Sequence, residues 1–289
     1  MSKMGSPLGS FLASRRWAVP FVHIVLTLVA IIFVFPMLWM LSTSLKPIEQ
    51  TMALPPTWLP WPAQWHNYID AWHYIPFAKY TLNTLIVCGL SVVGMTFSSA
   101  VVAYAFTRLE WPGRELVFGL VLATMMVPFP VTMVPLYGVF KALGWIGTLK
   151  PLWAPAFFAN AFNIFMVRQF FLRVPKNLGE AMSLEGASEW RILWDVYVPL
   201  SKPALAVVAL FQFSFAWNDF LGPLLFLSDQ NTFTLSLGLQ QFQSQHGGTQ
   251  WHLLMAASVL TVLPMLVLFF FTQKTFLAGI GFLQNVDAH

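Results

Sequence analysis

Six long apolar runs, nearly free of charge, organise this chain, and short charged segments separate them. They lie within 18–45, 81–107 and 116–140, from Pro151 through Val167, and within 203–228 and 253–272. None alternates apolar and polar residues over a sustained stretch, so they read as tilted helices rather than barrel strands. The fourth closes in Arg168-Gln169-Phe170-Phe171-Leu172-Arg173, and the fifth contains one acid, Asp219. A hydrocarbon layer of about 30 Å needs about 20 apolar residues per crossing. The pattern therefore predicts an all-α, polytopic membrane protein with six transmembrane helices. An arm at 1–17 precedes a single transmembrane domain at 18–289, and an even number of crossings puts both termini on one side.

Composition narrows the class further. The chain has 289 residues, 57% hydrophobic and 9% charged, against about 25% charged in ordinary soluble domains. So few charges could not cover a soluble globule, and so apolar a chain would not stay disordered. One cysteine, Cys88, excludes a disulfide framework and a cysteine zinc site. The net charge of +4 reflects membrane topology rather than nucleic-acid binding, because no basic cluster is dense enough to track phosphates.

Charge placement sets the orientation. Lys3, Arg15, Arg16, Arg108, Arg114, Arg168, Arg173, Lys176, Arg191, Lys202 and Lys274 fall on one face, and only Lys46, Lys79, Lys141 and Lys150 on the other. The positive-inside rule makes the first face, with both termini, cytoplasmic. Ser14-Arg15-Arg16-Trp17 superficially resembles a twin-arginine export signal. The apolar run behind it is too long and lacks a small-residue cleavage site, so it reads as an uncleaved first span.

The longest outer segment is 46–79. Its stretch from Leu54 to Pro62, LPPTWLPWP, is stiffened by proline and rich in tryptophan, which suits the lipid headgroup layer. Within the same segment His66, Asp70 and His73 share a helical face with metal-like chemistry. With no fourth ligand or supporting shell to be found, an interfacial helix with a polar edge is the plainer reading, and no metal site is assigned.

The charge-dense cytoplasmic stretch 175–199 reads PKNLGEAMSLEGASEWRILWDVYVP. Asn177 and Glu180 have the spacing of a capping pair that starts a helix after Pro175. Gly186 allows a turn, and Ser188 can cap a second helix. There Trp190, Leu193, Trp194 and Tyr197 make an apolar face closed by Pro199. Two short helices joined at a glycine form a small knob facing the cytoplasm.

These residues resemble the EAA loop of bacterial ABC importer permeases: Glu180-Ala181, Gly186 six positions later, and Pro199 after Val196 and Val198. The resemblance implies that Glu180, Ala181, Met182, Leu184, Glu185, Gly186, Ala187 and Pro199 form the coupling element that docks on an ATP-hydrolysing subunit. Met182 stands where the family has a second alanine, Glu185 where the carbohydrate branch has aspartate, and valines replace the isoleucine and leucine before Pro199. Further matches point to the carbohydrate-uptake branch, which includes permeases for maltose and glycerol phosphate. They are Ala103-Tyr104-Ala105-Phe106 with Arg108, Pro135-Leu136-Tyr137, Arg168-Gln169-Phe170-Phe171, Trp217-Asn218-Asp219-Phe220 with Pro223, and Gln273-Lys274 with Phe276 and Gly279. The match fails in the tail 281–289.

What the resemblance implies is a division of labour. This chain is a non-catalytic subunit without a cofactor of its own. It pairs with a second homologous permease, two ABC ATPases that bind ATP and Mg, and an external solute-binding protein, in a bacterial inner membrane. The sequence also lacks a G-x-x-x-x-G-K-[ST] phosphate loop.

Polar groups at membrane depth need partners or a watery cavity. Asp219 lies roughly 24 Å along the fifth span, beside Trp217 and Asn218, a ring and an amide of kinds that bind sugars. Asn218 and Asp219 could equally tie the fifth helix to a neighbour, and Asn83 and Asn163, further candidates for the solute pathway, read first as interhelical hydrogen-bond donors. Pro128, Pro130 and Pro135 predict a broken third span near a cavity. Two other classes remain. A self-sufficient secondary transporter or channel would rest on Asp219, and an intramembrane metalloenzyme on the His66, Asp70 and His73 group.

Overall fold

A computed structural model describes residues 7–243 and 248–284, with side chains described over 20–243 and 248–273. Lys3 and the tail from 285 lie outside the described residues, as do the side chains of Arg15, Arg16, Lys274 and Phe276. Among the described residues every regular element is helical.

The longer elements are α1 (Pro7–Ser44), α2 (Asn67–Tyr74), α3 (Phe77–Thr107), α4 (Arg114–Ala123), α5 (Phe129–Ala142) and α6 (Ala161–Phe171). They continue with α7 (Lys176–Leu184), α8 (Glu189–Leu200), α9 (Lys202–Asn218), α10 (Leu221–Phe226), α11 (Leu235–Leu239) and α12 (Trp251–Gln284). Three stretches are single helices long and apolar enough to cross a membrane: Pro20–Ser44, Phe77–Thr107 and Trp251–Gln273. Two further spans are possible if the bent pairs α4–α5 and α8–α9 each count as one, giving up to five.

The interruptions have local causes. The expected third span bends by 101° between α4 and α5. Val127 is extended, as a residue before proline prefers, and Pro128 offers no N–H to continue the ladder. The expected fourth span is not one helix. A turn at Lys150–Trp153 and a tight 3-10 stretch at Ala154–Phe158 lead to Ala159 at φ +57°, after which Asn160 caps α6 through a bond from the Asn163 N–H at 2.8 Å. The fifth stops at Asn218, because Asp219 turns extended, and α10 begins after Phe220.

The chain forms two compact units. One comprises 1–71 and 242–260. In it the Asn67 amide donates to the carbonyls of Ser44 and Lys46 at 2.9 and 3.0 Å, which folds the segment after α1 back onto the end of that helix. Trp39 meets Trp58 edge to face. Lys46 is fully buried, its ammonium 3.3 Å from Thr43 Oγ1 and 3.9 Å above the Trp39 ring. Trp58, Trp61 and Trp65 are largely exposed.

The other unit comprises 72–241 and 261–289. Its centre is α3, which packs against α9 and α6. Small residues permit this approach: Ala100, Ala103 and Ser99 are buried, and a Cβ on Gly94 would overlap the Phe157 ring. Val167, Phe171, Ile192, Leu193, Tyr197 and Val208 complete the main core.

Candidate coupling loop and solute pathway

The segment 175–199 folds as two arms about a glycine. Helix α7 starts after Pro175, but without a side-chain cap. Asn177 lies inside the helix, and Glu180 turns away to Arg108, so the capping pair expected from spacing does not form. At its other end the Gly186 N–H donates to Ser183 O and the Ala187 N–H to Met182 O, both at 3.0 Å. This is a Schellman closure, which requires the left-handed φ of +82° found at Gly186. Ser188 then caps the second arm by accepting from the Arg191 N–H.

That second arm, α8, carries a π-helical turn over Leu193–Tyr197. The wider turn accommodates Pro199, whose ring would clash with a carbonyl four residues back in an ordinary α-helix. It also aims Leu193 and Tyr197 inward, where both are buried. Tyr197 packs edge to face on Tyr104 and Phe171. Trp190 and Trp194 instead meet Phe97.

The outer surface of the knob has a different character. Leu184 is 90% exposed. Glu180, Ala181, Glu185, Gly186 and Pro199 are exposed, and Met182 and Ala187 are half-buried beneath them. A Cβ on Gly186 would meet nothing within 4 Å. The knob is thus anchored from within and presents the apolar tip Leu184 next to the exposed Glu185.

Tyr104 on α3 and Arg108, the residue that ends that helix, hold this knob. The Tyr104 hydroxyl donates to Glu189 Oε2, and the Arg108 guanidinium lies 3.8 Å from Glu180 Oε1. The alanine-tyrosine-alanine-phenylalanine run marked Tyr104 and Arg108 in the sequence, but not their partners. Their spacing of four along one helix face, opposite acids on both arms, was the available signal. Next to them Arg168 bonds both oxygens of Glu115 at 3.0 and 3.2 Å, donates to the Phe106 carbonyl and covers the Phe118 ring.

The five pathway candidates have different partners. Trp217 is 3% exposed; its indole N–H donates to Thr261 O and its ring stacks on Phe213. Asn83 donates to the carbonyls of Asn231 and Phe233, pinning the segment after α10. Asn163 is buried, with its Oδ1 unpartnered. Asn218 is exposed and donates to Ser214 O in its own helix. Asp219 accepts from the Gly222 N–H at 3.0 Å. Elsewhere, His66 and Asp70 lie 3.1 Å apart and exposed, and among the described residues no third His, Cys, Asp or Glu completes a metal-holding group.

Residues 95–280 match the family described as binding-protein-dependent transport system inner membrane component. The chain belongs to this family. The match takes in the whole loop, its α3 anchors and Asp219. Among related proteins, the permease is 32% identical over 274 residues to the sn-glycerol-3-phosphate transport system permease protein UgpE of Yersinia pestis bv. Antiqua (strain Antiqua), covering 92% of this chain and 97% of that one. It is 33% identical over 264 residues to the diacetylchitobiose uptake system permease protein NgcG of Streptomyces coelicolor (strain ATCC BAA-471 / A3(2) / M145), covering 91% and 87% respectively. Its fold is similar to a chain in the crystal structure of a bacterial ABC transporter involved in the import of the acidic polysaccharide alginate. There the TM-score is 0.81 at 22% identity, over 95% of this chain and all of that one.

Proposed function

We propose that this permease forms half of a solute pathway in an ATP-driven importer of sugars or sugar-like solutes such as oligosaccharides, polyols or glycerol phosphate. A second, homologous permease forms the other half. Two ATPase subunits bind and hydrolyse ATP with Mg, and an external binding protein delivers the solute. This chain carries out no covalent chemistry. The uptake systems named for its relatives support the solute class.

The observation that carries the proposal is the knob at 175–199. An apolar side chain as exposed as Leu184, on a turn held from behind by buried Leu193 and Tyr197, suits insertion into a partner's cleft. Docking there would let closure of the ATPases push the loop and switch the helices between outward and inward access. We read the bent pair α4–α5, the broken segment at 150–173, and α9 with the break after it as spans interrupted where they border the pathway, with α8 left at the surface as the knob's second arm, which restores six crossings with both termini cytoplasmic. Asn218 and Asp219, at the break after α9, are its foremost lining candidates. Thr96 and Ser99 on α3 and Asn163 on α6 also leave oxygens unpartnered, and a hydrated pathway would satisfy them.

Leu184→Asp tests this reading, since it changes an exposed tip without touching the core. The variant should insert and pair with its partner permease yet fail to retain the ATPases during affinity purification. Full retention with normal uptake would refute the docking role.

A further inference from the structure

The two contacts between α3 and the loop are placed where they can transmit force. Tyr104 bonds the second arm through Glu189, and Arg108, one turn later, faces the first arm through Glu180. The arms are therefore tied to one helix on both sides of the Gly186 turn. The contacts differ in strength. The tyrosine is buried and donates to a carboxyl oxygen at short range, an arrangement worth more than an ordinary hydrogen bond. The arginine pair is wider and more exposed, and contributes little alone.

The same helix is gripped at its far end. Asn83 donates to the Asn231 and Phe233 carbonyls, Thr84 Oγ1 accepts from the Leu235 N–H at 2.8 Å, and Lys79 donates to Asn231 at 2.6 Å. Helix α3 runs unbroken over 31 residues, roughly 46 Å at 1.5 Å per residue. No proline interrupts it, whereas α1 contains Pro20 and Pro36, α5 Pro135 and α12 Pro264 internally. An unbroken helix fixed by side-chain bonds at both ends moves as a rod rather than yielding in the middle.

We infer that Tyr104, assisted by Arg108, is a positioning residue that clamps the loop to α3, so that loop displacement reaches the outer segment 229–235 through that helix. This rests on the loop being the ATPase-facing element. The coupling resides in the Tyr104–Glu189 bond, which removal of one hydroxyl abolishes while the ring keeps its place against Tyr197.

The test uses the full complex in proteoliposomes, with both permeases, the ATPases and the binding protein, and reads ATP hydrolysed per solute imported. Tyr104→Phe should keep the complex intact and raise that ratio about five-fold or more. Glu189→Ala should do the same, and the double variant should be no worse than either single one. Glu189→Gln retains an acceptor oxygen and should restore a ratio near that of the unmodified permease.

An unchanged ratio in Tyr104→Phe, with Leu184→Asp defective, overturns the clamp alone. Normal transport by Leu184→Asp removes the docking reading and the clamp together. If Tyr104→Phe loses assembly and uptake in equal measure, the tyrosine is packing only. If Glu189→Gln is as defective as Glu189→Ala, the bond is not the link.

Discussion

The carboxylate of Asp219 accepts the Gly222 N–H at 3.0 Å, and a side chain on Gly222 would overlap its second oxygen. The acid therefore starts α10 as a cap, and the glycine supplies the room. Its backbone carbonyl also accepts the Ser236 hydroxyl, which fastens the following loop.

Capping and solute contact at Asp219 separate under substitution. Asp219→Asn keeps an acceptor for Gly222 and should assemble normally, whereas Asp219→Ala should lose about 1 kcal/mol of stability. If the charge also lines the pathway, Asp219→Asn lowers uptake at undiminished assembly. Thermal midpoints and uptake measured together decide this, and full uptake by Asp219→Asn would leave only the cap.

Gly186 offers a comparison of strain with bulk. At φ +82° any side chain costs about 1–2 kcal/mol, so Gly186→Ala and Gly186→Trp carry similar backbone strain. The Trp ring would project into open space and so interfere with a docked partner rather than with the fold. Gly186→Ala should retain the ATPases on purification and Gly186→Trp should lose them. Equal retention by the two would contradict docking at the turn.

Arg168 ties three elements together by geometry that lysine cannot reproduce, with two bonds to Glu115, one to the Phe106 carbonyl and a face-on contact with Phe118. Arg168→Lys should lower stability by about 1–3 kcal/mol. Glu115→Gln should cost less, because the acid is exposed and its partner keeps its other contacts. Thermal unfolding in detergent measures both, and the opposite ranking would contradict the assignment.

Burial pushes the Lys46 ammonium below its ordinary value of 10.5. Among the described residues no carboxylate forms an ion pair with it. Between the lowered folded value and 10.5 the unfolded chain binds the extra proton, so stability rises with pH across that window. Below the window the full penalty persists, and above it both states are neutral. The stability of Lys46→Met relative to the unmodified protein should therefore fall as pH climbs toward 10.5. A relative gain for Met with rising pH would contradict this.

How much could be read in advance depended on the range of the interactions. The apolar runs predict the spans Pro20–Ser44, Phe77–Thr107 and Trp251–Gln273 within α1, α3 and α12 to within four residues, because a long uncharged helix is a local property, but not how far α1 and α12 extend beyond them. Gly186 and Ser188 likewise declared the turn and the second cap. The capping pair at Asn177 failed because Glu180 meets Arg108, a residue 72 positions earlier, which helix-start spacing does not encode. The fourth run read as one span because its apolarity is continuous, while Pro155, Ala159 and the Asn160 cap divide its backbone. Trp217 reads as sugar-binding chemistry by residue type, and Asn83 as a buried amide that could line the pathway. Their hydrogen bonds to distant carbonyls become visible only once the chain is folded.

Solute accumulation in proteoliposomes holding the two permeases and the binding protein, with and without the ATPase subunits, tests the coupling account most directly. It predicts accumulation only when the ATPases and ATP are both present, and none from the permeases alone. Accumulation without the ATPases would contradict it.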